Sequence, residues 1–100
     1  MIYLTQLIYL SDGHEVAFDQ FEDAVLRLLP KYRGELLLRL RPGPASKIGG
    51  SSEAPYEIHV VRFESDSDLL RYSNDEERKR LLPLKEQSVR SSLLIKGALT

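Results

Sequence analysis

Cysteine is absent from this 100-residue chain. A disulfide framework, a thiolate metal site and a cysteine nucleophile are excluded together. Histidine is nearly as scarce: His14 and His59 have no short ligand spacing between them, so neither a metal nor any other cofactor is expected. A charge of one sign is missing as well. Fourteen basic residues against fifteen acidic ones leave a formal charge of −1, and without a net field neither a nucleic acid nor a membrane is an expected partner. Long apolar runs are also lacking, because the stretch from Ile2 is interrupted by Thr5 and Gln6 and stops at Ser11-Asp12-Gly13. That is too short and too broken for a signal peptide or a membrane span, so cytoplasmic residence is the expectation.

What is present is an ordinary globular balance, 42% hydrophobic and 29% charged. A chain of 100 residues suits one core, and a single domain over 1–100 is expected. Ile2 to Leu10 is rich in β-branched and aromatic residues and reads as a strand. Ala17, Phe21, Ala24, Val25, Leu28 and Tyr32 then recur at spacings of three and four, with Asp19, Gln20, Glu22, Asp23 and Arg27 on the opposite side of an amphipathic helix. Asp12 and Glu15 have capping spacing at its start, Pro30 should end or kink it, and Gly34 offers a left-handed residue beyond it.

Glu35 to Arg41 alternates, which predicts a strand with Leu36, Leu38 and Leu40 under the helices and Leu37, Arg39 and Arg41 on the other face. Pro42 to Pro55 is a Gly-, Pro- and Ser-rich loop, and Tyr56 to Glu64 is a third strand. A short helical turn around Leu69 to Tyr72 precedes a longer helix opened by Ser73-Asn74-Asp75-Glu76, with Ser73 as its cap and Pro83 kinking or splitting it. Ser92 to Leu99 is a last strand. The order is β-α-β-β-α-β, a ferredoxin-like α+β fold with a four-stranded antiparallel sheet and two helices on one face. The uncovered face needs a partner, and a homodimer through the sheet is expected.

Three local features carry a resemblance: Leu29-Pro30-Lys31-Tyr32-Arg33-Gly34 leading into a strand, the strand end Arg62-Phe63-Glu64-Ser65, and the helix start Ser73-Asn74-Asp75-Glu76. In these the chain resembles the dimeric α+β barrel superfamily, in particular its small bacterial domains of unassigned function related to antibiotic-biosynthesis monooxygenases. The resemblance implies two sheets paired face to face into a barrel. Some relatives use the enclosed cavity for oxygenation without a cofactor, or for isomerisation or lactone chemistry. Gly34-Glu35 stands where a double glycine is common in that group, and no catalytic residue is carried over.

The residues themselves nominate a site. His59 shares strand parity with Glu57 and has the ordinary chemistry of a general base near neutral pH, or else is a satisfied core or interface histidine. Arg39 and Arg41 on one strand face suit a carboxylate or enolate oxygen, or a salt bridge to Glu57 or a partner subunit. Tyr56 at a strand entrance can present a phenol to a ligand, or simply bury its ring. His59 and Arg39 are therefore the candidate catalytic pair, with Tyr56 and Arg41 as candidate ligand-binding residues. The run Asp75 to Arg80 reads as a solvated helix face. Two functions follow: a small molecule bound or transformed in a cavity between the sheets, by oxygenase-like or isomerase-like chemistry, or a non-catalytic dimerisation or protein-interaction module.

Overall fold

Period-two alternation of apolar side chains builds four strands, and period-3.6 stripes lay helices across one side of them. A computed structural model describes residues 1–100. Its elements are β1 (Ile2–Leu10), α1 (Glu15–Leu26), a 3-10 turn over Leu29–Tyr32, β2 (Gly34–Leu40), β3 (Glu57–Phe63), α2 (Asp66–Ser73), α3 (Glu76–Ser88) and β4 (Val89–Gly97). The strands lie in the order β2-β3-β1-β4 with every neighbouring pair antiparallel. This is a ferredoxin-like sheet, and the molecule is a slab of 36 × 35 × 16 Å. No helix is long and apolar enough to cross a membrane.

The second helical region is a full helix followed by a longer one, with the break at Asn74-Asp75 rather than before Ser73 and no split at Pro83. Ser65 caps α2, accepting from the Asp68 N–H at 3.2 Å. Asp75 leaves the helical backbone (φ −57, ψ 132) and caps α3, accepting from the Arg78 N–H at 2.9 Å. Ser73 is the last residue of α2, and its hydroxyl donates to the Leu69 carbonyl at 3.0 Å. Pro83 sits inside α3, which runs on to Ser88. At the first helix Asp12 caps nothing. Gly13 (φ 78) and His14 intervene, and α1 starts at Glu15 without a side-chain cap.

Gly34 is needed for closeness and not for a left-handed turn. A β-carbon there would stand 2.8 Å from Phe63 Cε1 and 3.1 Å from the Leu29 carbonyl oxygen. The left-handed position falls on Arg33 (φ 56), whose guanidinium reaches the buried Asp68 at 2.7 Å and ties the start of β2 to α2. Phe63 also packs tilted against Tyr72, ring centroids 5.5 Å apart, in a core shared with Leu4 and Leu29.

A bulge in β2 reverses the expected sheet faces. Leu36 pairs with Val61 and Leu38 with the adjacent Val60, so Leu37 is an extra residue. Alternation resumes one step out of phase. Leu38 and Leu40 turn to the open face, where they are 43% and 38% exposed, while Arg39 pairs with the buried His59 and faces the helices. Arg41, two residues on, reaches the buried Glu57 and Asp19 of α1. The open face therefore carries leucines without the arginines, together with Leu7, Ile58, Val60, Leu93 and Ile95.

Replacing Gly34 by alanine is expected to cost about 1–3 kcal/mol, because Phe63 is fixed in the core and cannot give way. Ser73→Ala should leave the urea midpoint nearly unchanged, whereas Asp75→Ala should lower it clearly. Equal midpoints for the last two variants would contradict the placement of the cap.

Candidate functional site

Parity in β3 sends Glu57, His59, Val61 and Phe63 toward the helices. Two of these positions are polar and almost without solvent: Glu57 at 0% and His59 at 2% exposure. A buried carboxylate survives only among donors, and three side chains supply them. His59 Nε2 donates to Glu57 Oε2, Arg39 Nε donates to the same oxygen at 3.0 Å, and Arg41 Nε donates to Oε1 at 2.7 Å. Burial alone would push the Glu57 carboxyl up, but the hydrogen bonds from His59, Arg41 and Arg39 outweigh it and hold the group at about 2. An ionised carboxylate only accepts, so Nε2 carries a hydrogen, and in the neutral imidazole the lone pair is then on Nδ1.

The two arginines continue outward to α1. Arg39 reaches Asp23 at 3.1 Å, and Arg41 pairs with Asp19 and lies 4.9 Å over the ring of Tyr56. Tyr56 in turn meets Phe18 edge-on, centroids 5.8 Å apart. Arg39 and Arg41 line an open groove with Asp19, Asp23 and Glu57. Tyr56 lies outside it and lines a separate shallow groove with Tyr9 and Glu53.

His59 alone of the four nominated residues lines a partly open chamber of about 160 Å³. The chamber lies between the sheet and the helices of one chain, not between two sheets. Leu4, Val25 and Phe63 supply apolar walls, and Gln6, Glu22, Arg78 and Lys85 supply polar ones. Glu22 Oε2 stands 3.8 Å from His59 Nδ1. Burial pushes the Glu22 carboxyl above its ordinary range, against the pull of His59. Burial, and after it the like charge of Arg78, push the Lys85 ammonium below its own.

Four of these chamber residues escape a reading by periodicity. Gln6 sits in an otherwise apolar strand, paired with His59. Residue type assigns Glu22 to the solvated side of α1, yet it is four residues from Phe18 and three from Val25, inside the buried stripe. Arg78 and Lys85 are seven apart, two turns along one face of α3, in a stretch where charge is so dense that no stripe stands out. The signal for Glu22 was its spacing from phenylalanine and valine, and it outranked residue type.

No protein-family model matches the chain. No curated protein matches it either. Solved structures share its fold. A protein of unknown function from Rhodopseudomonas palustris superposes with a TM-score of 0.82 at 14% identity, over 99% of this chain and 82% of that one. A dimeric protein of unknown function with a ferredoxin-like fold from Bacteroides fragilis gives 0.70 at 15%, over 98% and 95%. An antibiotic biosynthesis monooxygenase gives 0.69 at 10%, over 100% and 99%. At these identities the likeness establishes the fold.

Glu57→Gln is expected to destabilise the protein by about 3 kcal/mol or more at neutral pH, because it strands two arginines and a histidine beside a neutral amide. The Glu57 carboxyl is depressed in the folded state, so its contribution is present above its ordinary pKa and disappears as pH falls from 4.5 through about 2. Urea midpoints of wild type and variant should converge over that window. A constant gap down to pH 2 would contradict the assignment.

Proposed function

We propose that the chain acts as a homodimer paired through the open sheet face, each protomer holding a small organic molecule in its chamber, with His59 taking and returning a proton. The single observation that carries the reading is the state of His59: its Nε2 is tied to an ionised carboxylate while the ring lines the chamber and Nδ1 stands toward Glu22. Glu57 sets the tautomer and Arg39 and Arg41 hold Glu57, so all three are positioning residues for one base. Glu22, held more readily protonated by burial, is placed to give a proton back at a second position of the same ligand.

About 150 Å³ of apolar cavity suffices for benzene, so a chamber of about 160 Å³ takes a single ring or a short chain. Removing a proton next to a carbonyl leaves an enolate. Its reprotonation elsewhere is an isomerisation, and the electron-rich enolate is also the species with which oxygenation without a cofactor begins. The monooxygenase name of one structural neighbour accords with the second outcome.

The pairing is supported by area and by composition. The chain exposes 6368 Å², against about 5,800 Å² for a monomer of its 11.4 kDa mass. The excess accords with an open face bearing Leu38, Leu40, Leu93 and Ile95, each 38% exposed or more. A neighbour of the same fold is described as dimeric.

Sedimentation at low micromolar concentration should give a dimer, and Leu40→Glu with Leu93→Glu should give a monomer, since both charges land on the buried pairing face. A wild-type monomer would remove the dimer from this reading. For the chemistry, deuterium exchange into cyclohexanone and acetophenone in heavy water should run faster with the protein than in buffer. His59→Ala should slow the protein-dependent part by about 10²–10⁴-fold. Undiminished exchange in that variant would show that His59 is structural.

A further inference from the structure

A cation drawn part-way out of water without a counter-ion is costly, and α3 brings two half-buried ones to the chamber. Arg78 lies over the ring of Tyr72, its Cζ 5.0 Å from the ring centroid. Its Nε is buried and has no hydrogen-bond partner at all, the one such side-chain atom in the protein. Lys85, seven residues on, lines the same chamber. Most of the chain's other basic side chains join salt bridges, from Lys31 to Asp75 through Lys96 to Asp66, but neither Arg78 nor Lys85 joins one. The only carboxyl lining the chamber is Glu22, and burial favours its neutral form.

We infer that the chamber is an oxyanion site, taking a small planar carboxylate or enolate whose oxygens accept from Arg78 Nε–H and from the Lys85 ammonium. The inference rests on the chamber being a ligand site, as proposed above, and adds the charge and class of the ligand. An oxyanion supplies the missing acceptor for Arg78 and the missing counter-charge for Lys85 in one step. The apolar walls at Leu4, Val25 and Phe63 then take the ring or chain that carries it. An enolate made by His59 presents the same feature, a full negative charge on oxygen at the moment the proton leaves. Donors held in place by the fold favour that charge more than mobile surface ones. Arg78 rests on Tyr72, whose own hydroxyl donates to the Val25 carbonyl at 3.2 Å, so the guanidinium is backed by a side chain that is itself fixed.

The test compares benzoate with benzamide, equal in size and different in charge, on the wild-type protein by calorimetry, with the Arg78 Nε–H resonance followed by nitrogen-edited NMR. Benzoate is expected to bind about tenfold or more tightly than benzamide, the difference one charge-assisted contact supplies, and to move the Arg78 resonance. Arg78→Gln should lose the benzoate advantage while keeping benzamide, and Lys85→Met should reduce it. If Arg78→Gln fails to fold, the wild-type comparison and Lys85→Met decide. Benzamide binding as tightly as benzoate, with the Arg78 resonance moved by both, would overturn the oxyanion site and leave the chamber as a ligand site. Neither compound binding, with the resonance unmoved, would overturn the chamber and the oxyanion site together.

Discussion

A carboxylate sealed from water must find its donors within the protein, and Glu57 finds them on His59 of β3, Arg39 of β2 and Arg41 just beyond it. That requirement organises much of one side of the molecule. Arg39 and Arg41 can reach Glu57 only if β2 presents them to the helices, and once there they extend to Asp19 and Asp23 and fasten α1 over the sheet. His59 gives one nitrogen to the carboxylate and turns the other toward Glu22. Removing the carboxylate would strand His59 and leave Arg39 and Arg41 with only their half-exposed partners Asp19 and Asp23.

The extra residue at Leu37 is what makes this geometry available. Without it, Leu38 and Leu40 would lie under the helices and the arginines would face outward, mixing their charge into the open sheet face. With it, the open face carries leucines beside a single ion pair, Arg62 with Glu35, and the other face holds the Glu57 network. Strict alternation of Leu and Arg in β2 shows no sign of the bulge, since Leu36-Leu37-Leu38 offers three leucines and no polar residue to mark the slip. The element order, the loop over 42–55 and β1 were legible because each rests on a local signal: a run of β-branched residues, or a cluster of glycine and proline. The orientation of Arg39 and Arg41 was not, because it depends on a cross-strand register that only the partner β3 sets.

Helix boundaries failed in sequence for a related reason. Ser73 and Asp75 both sit at capping distance from a following residue, and the choice between them turns on tertiary partners. Asp75 also receives the Tyr32 hydroxyl and the Lys31 ammonium, from the turn before β2, and those contacts are invisible to a local pattern. Pro83 was expected to interrupt α3, yet α3 carries it internally while packed against α1. The chamber was the least legible feature of all. Its walls come from every layer of the slab, and its charged members are scattered through stretches whose composition suggests solvent.

The account turns on one atom, His59 Nδ1, being free to exchange a proton while Nε2 stays committed to Glu57. Nitrogen-15 NMR of the imidazole across a pH titration reads both nitrogens separately. The account predicts that Nε2 keeps its hydrogen throughout the range in which Glu57 is ionised, that Nδ1 alone gains and loses one, and that Glu57→Gln abolishes this preference. A ring whose Nε2 loses its hydrogen while Nδ1 keeps one would contradict it.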